Sequence, residues 1–264
     1  MEKLTYLDTN AFQLIAEDKK YICLFKNWLR TKNSKLVISS SIISELVGKY
    51  KKFNEFNSLV NDKEINLFFL GSYSLLNKLE KKYYPTSFNL DEISLNEKIN
   101  KTFEGKPFDF NEIASNINFK YALNSQTNAA EISFPNIIIK WFAMNPLKNG
   151  YYSEKEKQKL KQTISTNIQK KLLTELNMNK IDLNYFKTYM TIIEFMFRKH
   201  LIQPIKNLKN SDFVDIQHIA YSPYMDFFIT EKENADILSQ IKNNSSLLQK
   251  TIVLKLGDFK KKLY

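Results

Sequence analysis

A single cysteine, Cys23, stands in a chain of 264 residues. No intramolecular disulfide can form, and a thiolate-rich zinc site is excluded. A reducing, cytoplasmic setting is the expectation. Histidine is nearly as scarce, with only His200 and His218. No Ser/His/Asp or Cys/His arrangement therefore offers itself as nucleophile and base, and carboxylates remain the groups most able to carry chemistry. There are 5 glycines and 6 prolines. So few turn-makers over this length point to long helices rather than many short strands. No run of about 18 apolar residues occurs, so no membrane span is expected. The start, Met1 to Asp8, has no apolar stretch of signal-peptide length.

What is present suffices for a real core. Hydrophobic residues make up 43% and aromatic residues 14%, with 20 Phe and 14 Tyr, which argues against disorder of the whole chain. The length permits one large domain or a core with a substantial insertion. Lys and Arg total 39 against 28 Asp and Glu, a formal charge of +11. Such a surface attracts a polyanion and is consistent with a nucleic-acid partner. The abundance of Lys, Asn and Ile also fits an AT-rich genome, so charge alone does not decide the matter.

Leu4 to Leu7 is a short apolar run ending in Asp8-Thr9-Asn10, which predicts a buried strand, a turn and a helix from near Asn10. Cys23 to Leu29 is a second helical piece. Leu36 to Ser39 is a second strand, with Ser40 or Ser41 as natural N-cap of a helix from Ile42 to Phe56. Leu67 to Leu70 is a third strand. Strand, helix, strand, helix, strand argues for a parallel α/β sheet. From Ser72 to Asn210 strand-like runs become rare and apolar residues recur at helical spacing. That stretch is expected to be a large helical insertion, residues 72–210, punctuated by Pro85, Pro107, Pro135, Pro146 and Pro204. The α/β pattern then returns. Ser211 can cap a helix through Asp212 to Tyr221, ended by Pro223. Phe227 to Ile229 is a strand running into Thr230-Glu231, Asn234 to Ile241 a helix, and Thr251 to Leu256 a last strand. Lys260 to Lys262 reads as a solvated tail. The core is thus expected to be discontinuous, residues 1–71 and 211–264.

The carboxylates sit at telling places in this pattern. Asp8 directly follows the first strand, Glu45 lies about one turn into the helix after the second, Asp212 and Asp215 open the late helix, and Glu231 follows the late strand. In an open parallel sheet, strand ends and helix starts gather along one edge, where ligands bind. Five acids that together span more than 200 residues of the chain can meet there. Crowded carboxylates raise one another's pKa, and a hard divalent cation with a preference for oxygen relieves the conflict. Water on such an ion is a nucleophile for phosphodiester hydrolysis.

Tyr6-Leu7-Asp8-Thr9-Asn10 resembles the opening strand of PIN-domain nucleases, with an acid followed by a small polar pair. Ser39 to Val47, containing Glu45, resembles that family's second acidic motif. Asp215-Ile216-Gln217-His218-Ile219-Ala220 and Phe228-Ile229-Thr230-Glu231 resemble the third and fourth, although the family usually places Asp or Asn soon after the threonine. The resemblance covers residues 1–71 and 211–256 and leaves the middle of the chain unexplained. It implies an α/β, PIN-like three-layer core with a central, mostly parallel sheet. It also implies a Mg²⁺- or Mn²⁺-dependent endonuclease, with RNA a more probable substrate than DNA. Metal ligands would be Asp8, Glu45 and Asp215, with Asp212 a second ligand or a helix-dipole acid. Glu231 would be an outer or water-mediated ligand, and Asn10 and Thr230 would orient phosphate or water. Family members that are ribonuclease toxins leave an antitoxin or other protein partner, and a homodimer, open. A DNA-directed defence nuclease and a PIN-like module that binds without cutting are the competing expectations.

Other features read more plainly. Asp226 precedes its strand and is expected at the opposite edge of the sheet. His218, one turn after Asp215, is conceivable as a general base but fits a partly buried helix residue better. Tyr83-Tyr84 or Tyr151-Tyr152 could stack on bases. The lysines from Lys155 to Lys171 could track phosphates or form a solvated helix face.

Overall fold

The computed structural model describes residues 2–50, 53–70, 107–115, 143–144, 146, 152–160, 215, 218–219, 221–244 and 248–263. Five strands form one sheet: β1 (Lys3–Leu7), β2 (Ser34–Ser39), β3 (Leu67–Leu70), β4 (Phe227–Thr230) and β5 (Ile252–Lys255). Their order is β3-β2-β1-β4-β5, and every pair is parallel. Parallel strands buried on both faces need continuous apolar sequence, which is why Leu4, Tyr6 and Leu7 in β1 and Phe227 to Ile229 in β4 are all buried.

The chain leaves β1 toward β2 and β3 on one side, then crosses back to place β4 and β5 on the other. β1 and β4 therefore flank the switch point of the topology. The crevice beyond their C-terminal ends is where open α/β sheets hold ligands.

Helices α1 (Thr9–Ala16) and α2 (Lys19–Lys32) connect β1 to β2, while α3 (Ser40–Lys49) and α4 (Asn54–Val60) connect β2 to β3. Strand alternation sorts the two faces. On one, Phe25 and Trp28 of α2 pack against Phe227 of β4 and against Phe259 of α7 (Leu256–Lys262). On the other, Tyr6 stacks on Phe228 with ring centroids 5.0 Å apart and meets Tyr221 and His218. Helical chain thus covers both faces of the sheet.

Several boundaries differ from the sequence reading. Ser39, not Ser40 or Ser41, caps α3 by accepting the Ile42 N–H at 3.2 Å. The helix expected from Ile42 to Phe56 is two helices. Tyr50 is extended, its phenol donates to Gln13, and its ring meets Phe56 edge-on. Residues Leu256 to Lys262, read as strand end and solvated tail, form α7, because Phe259 is fully buried while the lysines stay outward or half-buried.

Part of the central region joins this core. In α5 (Phe110–Ser115) Phe110 packs with Phe53 and Phe56, and Phe108, just before it, meets the Phe110 ring edge-on. Asn61 pairs with both backbone groups of Phe108, and Asn57 accepts the Phe110 N–H at 2.9 Å while donating to Asp109. Farther on, residues 154–160 are helical and begin with a reciprocal Ser153–Glu156 capping box. The expected stacking face at Tyr152 does not exist, since that ring is buried; Tyr83, Tyr84 and Tyr151 lie outside the described residues. Asp226 stands at the N-terminal edge of the sheet, where its carboxylate accepts the Leu4 N–H at 2.9 Å. Among the described residues no helix is long and apolar enough to cross a membrane.

Candidate metal centre at the sheet edge

Asp8 occupies the switch point. It follows β1, and its backbone N–H still pairs with Ile229 of β4 at 3.0 Å. Its side chain is buried and caps α1, Oδ1 accepting the Ala11 N–H at 2.8 Å. Oδ2 accepts the Thr230 hydroxyl at 2.5 Å and the Glu231 N–H at 3.1 Å. The sequence dictates this locally. A short acidic side chain after a strand caps the following helix, and the neighbouring strand ends in the hydroxyl that fixes its second oxygen.

Glu45 projects from the second turn of α3. Thr9 donates to its Oε2, His218 Nε2 lies 3.1 Å from the same oxygen, and Lys49, one turn along α3, donates to Oε1. Burial pushes this carboxyl up, but hydrogen bonds from His218, Lys49 and Thr9 bring it down to about 2. Glu45 is therefore fully ionised at any physiological pH.

Asp215 behaves in the opposite way. Burial raises its carboxyl to about 6; the charges of Glu45 and Asp8 add to the rise, while His218 and a hydrogen bond from Asn234 oppose it. The coupling places all three carboxyls in one electrostatic neighbourhood, although their sequence positions lie far apart.

The remaining expected residues divide. Thr230 is buried, and its hydroxyl serves Asp8. Glu231 gives Asp8 its backbone N–H while its side chain is exposed. Asn10 is exposed in the first turn of α1. Asp212 lies outside the described residues. Residues not singled out from sequence complete the site. Asn234, in α6 (Lys232–Asn244), is buried and holds Asp215. It is the Asn that follows Thr230 after four positions, so its signal was in the chain. Thr9 and Tyr6 were quoted within the first motif, yet nothing local shows that they reach Glu45 and His218.

Donor chemistry suits a hard cation, since the three acids offer only oxygen. A carboxylate has about four lone-pair positions. Asp8 and Glu45 each have three taken by protein donors, which leaves one on Asp8 Oδ1 and one on Glu45 Oε1. Each can give one bond to an ion that keeps several waters. Among the described residues, however, no group of three or more His, Cys, Asp and Glu side chains is placed so that it could hold a metal ion.

Comparison with known proteins adds nothing to this geometry: no family model matches the chain, and no curated protein or solved structure matches it significantly.

Proposed function

We propose that this protein is a PIN-like, metal-dependent endonuclease that hydrolyses phosphodiester bonds, with RNA as the preferred substrate. The observations that support the reading are that Thr9, next to Asp8 at the switch-point edge of the sheet, donates to Glu45, and that the charges of Glu45 and Asp8 help raise the Asp215 carboxyl to about 6. Carboxylates crowded at a ligand-binding edge are the electrostatic mark of a cation site. Asp8, Glu45 and Asp215 would hold Mg²⁺ or Mn²⁺. When bound, the ion supplies an acidified water and offsets charge on the phosphate. Thr230 and the Glu231 N–H keep Asp8 aimed, and Asn234 does the same for Asp215. The formal charge of +11 favours a polyanionic substrate.

The test is cleavage of matched RNA, single-stranded DNA and duplex DNA with Mn²⁺ or EDTA. The expected result is Mn²⁺-dependent cutting, fastest on RNA, that Asp8→Asn abolishes while circular dichroism stays unchanged. Cleavage that survives both EDTA and Asp8→Asn overturns the mechanism. Faster cutting of DNA moves the same chemistry to a defence role against foreign DNA.

One observation favours a second reading, a module that binds nucleic acid or protein without cutting. The acids are satisfied by protein donors, and no ready cluster closes among the described residues. Calorimetric titration separates the two: heat from Mn²⁺ at millimolar levels or below supports the enzyme, and its absence supports the module.

A further inference from the structure

We propose that His218 is a positioning residue for Glu45, held in its Nε2-protonated form by a hydroxyl chain running from Ser39 through Tyr6. The proposal rests on the metal-site reading above and assigns to it a residue that touches neither ion nor substrate.

The ring is 2% exposed and lies against the sheet face that carries Tyr6. Its Nδ1 is 2.6 Å from the Tyr6 hydroxyl, which is 2.7 Å from Ser39 Oγ. Its Nε2 is 3.1 Å from Glu45 Oε2 and 3.4 Å from Thr9 Oγ1. Two hydroxyls with one proton each, Ser39 and Tyr6, make the direction of this chain a matter of counting for a neutral ring. Ser39 Oγ already accepts the Ile42 N–H as the cap of α3, and its own proton goes to Tyr6. Tyr6 passes its proton to Nδ1. Nδ1 is then an acceptor, and Nε2 carries the hydrogen that meets Glu45.

The reverse order fails at the far end. If Nδ1 alone carried the proton, a bare Nε2 would face an acceptor-only carboxylate at 3.1 Å in a buried place, and two buried acceptors without a hydrogen between them are costly. The Glu45 charge therefore demands a proton on Nε2.

The consequence lies in the orientation of the carboxylate. Oε2 is clamped between Thr9 from the start of α1 and His218 from the late helical stretch. Rotation is blocked, and Oε1, which accepts from the half-exposed Lys49, is the oxygen that would be left to a cation. The cap of α3 and the acid that α3 carries are thus joined through one buried chain, so the helix start and the metal ligand are fixed together. Groups that orient a ligating carboxylate typically change metal affinity 10- to 100-fold when removed.

The experiment uses the full chain. Nitrogen-15 spectra of the ring, recorded without paramagnetic metal in a His200→Gln background that leaves one imidazole, are expected to show Nε2 protonated and accepting character at Nδ1. Calorimetric Mn²⁺ titration is expected to show about 10- to 100-fold weaker binding for His218→Leu. His218→Gln, whose amide can still donate toward Oε2, should recover most of it, and Tyr6→Phe should shift the ring signals while keeping the aromatic packing. A ring protonated only on Nδ1 overturns the proposal, and that measurement needs no variant at position 218 to fold. So does wild-type Mn²⁺ affinity in folded His218→Leu. Wild-type protein that takes up no Mn²⁺ sinks the metal reading and this proposal with it, whereas normal uptake by His218→Leu sinks the positioning role alone.

Discussion

The Asp215 and Glu45 carboxyls carry opposite shifts, and the contrast can be measured in metal-free protein. Asp215 has a folded pKa of about 6 against an ordinary 3.8. Its folded form holds the proton more tightly, so stability falls as pH rises from about 3.8 to about 6 and stays lower above that. Two units correspond to roughly 3 kcal/mol as an upper figure. Asp215→Asn removes this penalty. Urea denaturation in EDTA should show a gain of about 1–3 kcal/mol at about pH 7.5 that vanishes below about pH 4. Glu45 runs the other way, at about 2 against 4.5, so it contributes stability above about 4.5 that is lost as pH falls toward 2. Glu45→Gln should therefore destabilise at neutral pH and approach wild type near about pH 2. Variants that shift in the same direction at neutral pH would contradict the electrostatic picture of the site. At this scale the sequence was legible where position alone decides: Asp8 after a strand and Glu45 on the next helix could be placed from the order of elements. The Tyr6–His218 contact could not, because a hydrogen bond between residues more than 200 positions apart leaves no local pattern.

Asn57 and Asn61 show how much of the architecture depends on side chains doing backbone work. Both sit on or just after α4 and satisfy main-chain groups of residues 108 and 110, across 47 and 53 positions of sequence. Replacing Asn57 by Ala leaves the Phe110 N–H and the Asp109 carboxylate without this partner. The expected cost is about 1–3 kcal/mol in denaturant unfolding, with faster hydrogen exchange at Phe110 as the local sign. An unchanged exchange rate there would mean that aromatic packing alone holds the segment. Periodicity and strand-like runs gave all five described strands to within a few residues, because buried parallel strands read as unbroken apolar stretches. It missed the break between α3 and α4. Gly48 near the end of α3 is a weak local hint; the pairing of Tyr50 with Gln13 and Phe56 fixes the break, and that is tertiary. It missed α7 for a similar reason, since a lone Phe259 among lysines gives little periodic signal, yet its burial against Phe25 and Trp28 decides the helix.

Across the whole molecule, three electrostatically coupled acids lie in a chain of net charge +11. The two features have separate roles under the proposed function, and they can be dissociated. Excess Lys and Arg should govern the capture of a polyanion, whereas the three acids should govern cutting. Binding of a short RNA to the inert Asp8→Asn variant, followed by fluorescence anisotropy in EDTA, isolates the first. Each phosphate neutralised releases counterions, so log K should fall linearly with log salt, with a slope of about −0.7 per contact on a single strand. Four or more contacts would give a slope near −3 or steeper. Adding Mn²⁺ to the wild type should instead raise the melting temperature through occupancy of the folded state, an effect that Asp8→Asn should lose while keeping its salt slope. A flat salt response would remove the polyanion from the proposal even if metal binding held, because a substrate phosphate approaching three carboxylates needs surrounding positive charge to offset the repulsion before a cation can bridge them.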